Sequence, residues 1–232
     1  MPRIRREETH LQMANEIKAA ARLEMQVSGT AGLSLRAIAR RLEITAPAVY
    51  NYFPRLEDLI TALIVDAFND LADAMQTAGQ SVTSSTWAPK IKATLLAYRQ
   101  WAVAHPAEFQ LIYGNPIPGY AAPPEVTAPL AERPFTILYS YFSEALKSWE
   151  LSIPPEYRSI PPNIKTYITD SNRARGVQIQ PDLFYLLVVG WSRFHGVVML
   201  ELFNHLQPVV GNPEQFYLHE VTALMTTCRL KA

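Results

Sequence analysis

Side chains that can bond to nucleic acid are concentrated in one short stretch, residues 34–55. Ser34, Arg36 and Arg40 can donate hydrogen bonds to phosphate oxygens. The next group mixes hydrogen-bonding side chains with small ones that permit close approach, namely Thr45, Ala46, Pro47, Ala48, Tyr50, Asn51 and Tyr52. Small apolar residues contact thymine methyl groups, threonine and asparagine hydrogen-bond to base edges, and tyrosine hydroxyls reach phosphates. These residue types therefore favour contact with a DNA groove.

The charge of the chain is polarised, although its total is zero. The 232 residues hold 21 Lys and Arg against 21 Asp and Glu. Residues 1–55 carry nine basic side chains, among them Arg3, Arg5 and Arg6, against five Glu, a net of +4; residues 56–232 carry 12 against 16, a net of −4. This balance excludes a uniformly basic coat for nucleic acid and disfavours a nucleoid-like structural protein. The basic N-terminal end is the candidate for contact with phosphates.

Two helices are predicted on the N-terminal side of the candidate residues. Apolar side chains recur at three- and four-residue spacing over residues 9–27, and Gly29 and Gly32 end this first helix. Ser34 is a typical N-cap for a short second helix whose apolar face points inward. The first helix is therefore expected to support the second.

A third short helix is predicted after a tight turn at residues 43–44. Thr45 is its expected N-cap, Pro47 lies in its first turn, and Val49 and Phe53 are expected to point inward. A long helix over residues 56–77 follows. Two short helices joined by a tight turn form a helix-turn-helix, whose second helix enters the major groove of DNA.

The rest of the chain also has helical periodicity and no sustained alternating strand pattern. Helices are predicted over residues 87–104, 107–113, 129–150, 181–205 and 213–229. The Gly- and Pro-rich residues 114–124 are a loop, and the stretch 153–180 is interpreted as a long loop with no assigned function. The sequence therefore predicts an all-α fold of nine or ten helices.

The step Tyr50-Asn51-Tyr52-Phe53, followed by Pro54 and Glu57-Asp58-Leu59, resembles the end of the third helix in the TetR family of one-component bacterial transcription regulators. The resemblance covers residues 10–65. It implies an N-terminal three-helix DNA-binding domain over residues 1–55 and a C-terminal helical ligand-binding and dimerisation domain over residues 56–232. The implied partners are a double-stranded palindromic operator, a second copy of the chain and a small-molecule inducer.

The chain departs from this family at two positions. Glu43 stands where the family usually has a turn glycine, and Leu56 stands where it usually has a lysine that contacts phosphate. Arg55, one residue earlier, is the hypothetical substitute for that lysine. Repression is favoured over activation because steric blocking of a promoter needs no contact with polymerase.

A second, C-terminal resemblance lies around Trp191 and His195. The run Trp191-Ser-Arg-Phe-His195-Gly196 is similar to a Trp-x-x-x-His-Gly element in a subset of these regulators, as is the loop that begins Tyr113-Gly114. Aromatic residues of the C-terminal domain, with His195, are candidates to line a ligand pocket or simply to fill the core: Trp87, Tyr98, Trp101, Phe109, Tyr113, Tyr139, Phe142, Trp149 and Trp191. Their abundance favours an apolar or aromatic ligand.

The stretch 183–206 is apolar on nearly all sides, so it must be covered by its own domain and by a further surface. In the family, the last two helices of each subunit form a four-helix dimer interface, and residues 183–206 with 213–229 fit that role. The alternative is an internal core helix of a monomer.

An enzyme would be expected to leave a catalytic or cofactor motif, and neither a P-loop nor a dinucleotide-binding glycine run occurs in the sequence. The histidines are scattered, and one cysteine, Cys228, cannot form a zinc site or an internal disulfide. We therefore expect no metal, no cofactor and no enzymatic activity; a helical enzyme or an interaction module is the alternative. Arg193 and His195 interrupt the most apolar segment, so we expect a cytoplasmic protein without a membrane span.

Overall fold

The computed structural model describes the backbone of residues 2–230 and the side chains of residues 8–230. The side chains of Arg3, Arg5 and Arg6, part of the predicted basic end, lie outside the described residues. The helices are α1 (Pro2–Ser28), α2 (Leu35–Arg41), α3 (Ala46–Tyr50), α4 (Leu56–Gln80), α5 (Ala88–Ala104), α6 (Pro106–Tyr113), α7 (Pro124–Lys147), α8 (Pro162–Ala174), α9 (Pro181–Leu202), α10 (Gln207–Val210) and α11 (Pro213–Thr227). Short 3₁₀ helices occupy Thr30–Gly32 and Pro155–Tyr157. No strand occurs in this part of the chain, and the all-α prediction is confirmed.

Backbone contacts divide the chain into two compact units. The head unit comprises Met1–Asp70 and His105–Ala131, and the C-terminal unit comprises Leu71–Ala104 and Glu132–Ala232. The head unit thus contains α6 and the loop after it, in addition to the predicted DNA-binding domain. The functional boundary after residue 55 stays a prediction.

The head unit is built on one apolar core. Ile17 of α1, Ile38 of α2, Val49 of α3 and Leu59 of α4 are all fully buried in it. Ala107 of α6 belongs to the same cluster. Since α2 has seven residues and α3 only five, neither could persist alone in water, and burial of their apolar faces holds them in place. The predicted inward direction of Val49 and Phe53 is confirmed.

The turn between α2 and α3 is a Schellman motif with glutamate at its left-handed position. The backbone N–H of Ile44 donates to the Ala39 carbonyl at 3.0 Å, and that of Glu43 donates to Arg40 at 3.2 Å. Glu43 has φ 55°, the region that favours glycine. The left-handed backbone angle at this position therefore explains the family's preference for glycine, and in this chain Glu43 adopts that angle with a Cβ atom present.

Ser34 and Thr45 occupy the N-cap positions of α2 and α3, but the predicted side-chain caps are absent. Both residues have extended backbone angles, and neither hydroxyl accepts a capping hydrogen bond within the described residues. The first backbone N–H groups of α2 therefore have no side-chain partner at the cap, whereas in α3 Pro47 has no N–H and the Ala48 N–H donates to the Thr45 carbonyl at 3.0 Å.

The C-terminal unit packs α5, α9 and α11 around large side chains that are almost fully buried, such as Ile91, Leu183 and Tyr217. Two predictions for this half of the chain were wrong. The helix expected over 129–150 begins earlier and ends earlier, since Pro124 occupies its first turn and Pro129 lies inside it. The stretch 153–180 contains α8, a largely polar helix in which only Ile168 and Asn172 are buried.

Glu43→Gly should raise the free energy of unfolding by about 1 kcal/mol, because glycine adopts a positive φ without the clash of a Cβ atom. Urea denaturation of the purified protein would measure it. Glu43→Ala is the control, since alanine keeps the Cβ and should bring no gain. Equal stability of the glycine and alanine variants would contradict this account of the turn.

Candidate nucleic-acid interface and C-terminal polar cluster

The outer face of α3 carries the side chains predicted to read DNA. Thr45, Pro47, Tyr50 and Asn51 are exposed, and Ala46 and Ala48 are half-buried between them. Small side chains at the front of the helix let its backbone approach a surface closely. Pro47, Tyr50 and Asn51 therefore lie on the accessible side of the helix, opposite the buried Val49, with Ala46 and Ala48 at its edges.

Tyr52 differs from Tyr50, although the sequence predicted a phosphate contact for both. Tyr52 is half-buried against the head core, and its ring lies 4.4 Å from the ring of His10. The side chain of Tyr50 stays accessible, with 42% of the residue exposed. His10 was missed from the sequence because 42 positions separate it from its partner.

The basic side chains of the head fall into two groups. Arg36 and Arg40 are exposed one turn apart on α2, and neither forms an ion pair with the part of the chain that the structure describes. The other four are paired with carboxylates: Lys18 and Arg22 with Asp66, Arg41 with Glu24, and Arg55 with Asp58. Arg36 and Arg40 are therefore the basic groups of the described head that are free for an external anion.

The paired carboxylates are held in their ionised form. The side-chain hydrogen bond from Arg41 is the largest cause that lowers the pKa of Glu24, and the bond from Arg55 does the same for the pKa of Asp58. Both carboxylates therefore keep their negative charge beside the arginines at neutral pH.

In the C-terminal unit, three of the predicted pocket residues meet. The Tyr98 hydroxyl lies 2.8 Å from Nδ1 of His195, and the Trp191 ring lies 5.2 Å from the His195 ring. Burial lowers the pKa of His195, so the imidazole is neutral at pH 7. The neutral ring donates or accepts the hydrogen bond with the Tyr98 hydroxyl according to its tautomer.

Other predicted pocket residues of this unit have structural partners. The backbone N–H of Trp87 donates to Glu150 at 2.7 Å, and the Tyr139 hydroxyl accepts from the backbone N–H of Gln180 at 2.9 Å. Phe142 is fully buried and Trp101 is 7% exposed. These side chains account for packing and helix positioning.

Three predicted pocket residues lie elsewhere. Trp149 is 93% exposed, because α7 ends before it and a left-handed turn with φ 63° turns the ring to solvent; its assignment to a pocket stays a prediction. Phe109 and Tyr113 belong to the head unit, where their rings lie 5.1 Å apart. Burial raises the pKa of Tyr113 to about 12, so its hydroxyl is protonated in any ordinary buffer.

A buried ion pair in the C-terminal unit was not foreseen. Arg99 donates two hydrogen bonds to Glu201, at 2.8 and 2.6 Å, and their side chains are only 12% and 9% exposed. The Tyr217 hydroxyl donates to the Leu95 carbonyl beside this pair at 2.9 Å. Arg99 and Glu201 are 102 positions apart in the sequence, so no local pattern could reveal their pairing.

An open groove of about 480 Å³ lies between the second half of α4 and α5. Its walls combine small side chains with one large aromatic and a few polar groups: Asp73, Ala74, Thr77, Ala78, Ala97, Gln100 and Trp101. The groove is mostly apolar, and Trp101 is the one predicted pocket residue that lines it.

Helix α9 is long and apolar enough to cross a membrane by length and composition, with 39% of the relevant stretch buried inside the protein. A core helix meets the same criteria, so this property does not identify a membrane span. Among the described residues, no group of three or more His, Cys, Asp or Glu side chains could hold a metal ion.

Two family models match the chain. The model described as "Bacterial regulatory proteins, tetR family" matches residues 17–63, which hold the helix-turn-helix, and "Tetracyclin repressor-like, C-terminal domain" matches residues 91–224. The second match alone covers more than half of the chain. This chain belongs to the TetR family. This family consists of bacterial transcription regulators rather than enzymes.

Relatives of this TetR-family chain are themselves described as regulators. The HTH-type transcriptional regulators Rv1816 of Mycobacterium tuberculosis and Mb1846 of Mycobacterium bovis are 42% identical to it over 129 residues, 56% of this chain and 55% of each relative. The chain thus aligns with about half the length of these relatives.

Solved structures agree on the fold. The regulatory protein SCO4313 is 27% identical, with a TM-score of 0.77 over 95% of this chain and 98% of that one. A tetR-family regulatory protein from Rhodococcus RHA1 is 16% identical, with a TM-score of 0.64 over 94% and 98%. The resemblance of Trp191–Gly196 to the Trp-His-Gly subset is not tested by these matches and stays a prediction.

Glu201→Ala should lower the free energy of unfolding by about 3 to 5 kcal/mol, because it leaves the Arg99 guanidinium buried without its partner. The double variant Arg99→Met, Glu201→Leu removes both charges and should recover most of that loss. Urea denaturation of the three proteins would measure both effects. A loss below about 1 kcal/mol in the single variant would show that the pair behaves like an exposed one.

Proposed function

We propose that this TetR-family regulator is a homodimeric repressor that binds a palindromic operator and is released by a small apolar or aromatic ligand. The exposed face of α3 is the main observation in favour of DNA binding, because Tyr50 and Asn51 follow the small residues at its front. Arg36 and Arg40 on α2 supply phosphate contacts, and Arg55 is a further candidate. A transcription repressor of this kind acts on the chromosome in the cytoplasm.

The proposed dimer rests on the exposed apolar side chains of α9. Leu200 near the end of α9 and Phe203 just after it are 47% and 45% exposed, whereas Leu183 and Val198 on the inner side of α9 are fully buried. Large apolar groups on the open side of a core helix are typical of a protein interface. A two-fold dimer would present two α3 helices to major grooves about 34–36 Å apart.

The proposed ligand site lies in the C-terminal unit. The Tyr98, Trp191 and His195 cluster offers aromatic surface with one adjustable hydrogen-bonding group, and the groove beside Trp101 offers apolar volume. Such a lining suits a compact aromatic ligand with few charges.

Selection of binding sites from a library of genomic DNA fragments should enrich a palindrome whose half-sites are separated by about one helical turn or a multiple of it. The control is the double variant Tyr50→Ala, Asn51→Ala, which removes two exposed α3 contacts and should lose the enrichment while it keeps its thermal unfolding transition. Enrichment of the same palindrome by the control, or no sequence preference in the native protein, would refute this role for α3.

His195→Ala should raise the concentration of ligand needed for half release from that operator by roughly 3- to 10-fold, the effect of one lost hydrogen bond. Aromatic compounds screened for operator release supply the ligand, and fluorescence anisotropy measures the release. Operator affinity without ligand should not change. Trp149→Ala is the matched control, since that exposed ring should leave the response as it is; an equal effect of both variants would argue against a ligand contact by His195.

A further inference from the structure

Carboxylates within the head neutralise most of its described basic side chains. Of the six Lys and Arg between residues 8 and 58, four form ion pairs inside the head unit. Two of these pairs lie on the helix-turn-helix and at the start of α4. We propose that Glu24 and Asp58 limit the sequence-independent DNA affinity of this regulator, because they hold Arg41 and Arg55 away from phosphates. The inference builds on the proposed contact of α2 and Arg55 with the DNA backbone.

Asp58 occupies one edge of the Arg55 guanidinium. The terminal nitrogen of Arg55 donates to Oδ1 at 2.6 Å and its Nε donates to Oδ2 at 3.2 Å, while the backbone N–H of Arg55 donates to Oδ2 at 3.1 Å. A phosphate that approaches this edge of the guanidinium would need the same two donors. Phosphate binding on this edge must therefore displace the carboxylate, and on the opposite edge the carboxylate stays close by as a like charge.

Glu24 holds Arg41 in a similar way. Arg41 donates from Nε and from a terminal nitrogen to the same oxygen of Glu24, at 3.3 and 3.0 Å. Ser28 donates to the other oxygen of Glu24 at 3.1 Å and fixes its orientation. Arg41 is thereby drawn toward α1, although Arg40, its neighbour on α2, stays without an ion pair in the described chain.

These two ion pairs affect how many counterions are released when the head binds DNA. Each cation that neutralises a DNA phosphate adds about 0.9 to the slope of log affinity against log salt, a factor of about 3.5 in affinity between 50 and 200 mM. An arginine that is already paired with a carboxylate adds less to this slope. Contacts from α3 to base edges then make up a larger share of the binding free energy, because only they carry sequence information.

The test measures affinity for a duplex of unrelated sequence by fluorescence anisotropy from 50 to 200 mM KCl, with the full-length protein. Asp58→Asn and Glu24→Gln remove the negative charge and keep an acceptor oxygen, so the Arg55 N–H keeps its cap. Each should steepen the salt slope by about 0.9 for each arginine freed. Two double variants should lose that gain because each also removes the arginine: Asp58→Asn with Arg55→Ala, and Glu24→Gln with Arg41→Ala.

Glu57→Gln and Glu43→Gln are the matched controls. Both residues are exposed, and neither forms an ion pair in the described chain, so these variants remove the same charge without freeing an arginine. Unchanged slopes in Asp58→Asn and Glu24→Gln, an equal gain in the controls, or a gain that survives loss of the arginine would each overturn the proposal. If Asp58→Asn lacks a cooperative melt, Asp58→Ser, which also offers a cap oxygen, takes its place.

The duplex of unrelated sequence separates this result from the proposed operator. A regulator that selects no palindrome can still show the steeper slopes, in which case the repressor proposal fails and this inference stands. If the native protein selects its palindrome but the Asp58→Asn and Glu24→Gln variants leave the salt slope unchanged, the repressor proposal stands and this inference fails.

Discussion

The burial of Val49 beneath α3 is the contact on which the DNA-binding face depends. A helix of five residues has little stability of its own, and Val49 has no measurable exposure in the core shared with Ile17, Ile38 and Leu59. Phe53 closes the same core just past the end of the helix. The position of Tyr50 and Asn51 is therefore fixed by an apolar contact on the opposite side of α3.

The same constraint explains the strained turn. If Val49 is to enter the core, the chain must reverse within the four residues between α2 and α3, and the Schellman hydrogen bonds from Glu43 and Ile44 achieve that reversal. The left-handed angle belongs to that geometry whatever the residue. A glutamate at this position adds a negative charge near the start of α3 at some cost in backbone energy, and burial of Val49 outweighs that cost.

Local patterns in the sequence were sufficient for the helix-turn-helix. Caps, turn length and apolar spacing predicted α2 and α3 and their inward residues, since each of these signals acts over a few positions. Features that depend on distant partners were not predicted: the Arg99–Glu201 pair, the stacking of His10 on Tyr52, and the exposed position of Trp149. Helix α8 was missed for a related reason, because its polar sequence contains only two buried residues.

Formal charge is a poor measure of what the head can offer to DNA. The net charge of +4 over residues 1–55 suggests a modest basic surface. Among the described side chains, however, some arginines are paired with carboxylates and others are not. Arg36 and Arg40 lie one turn apart and have no carboxylate partner among residues 8–230, whereas Arg41 is bound to Glu24 and Arg55 to Asp58. An ion pair between exposed groups adds little to folding stability, but it changes how many counterions binding releases. Carboxylates that contribute little to the fold can therefore set the strength of a DNA-binding surface, and the two unpaired arginines lie on α2, the helix that precedes α3 in the helix-turn-helix.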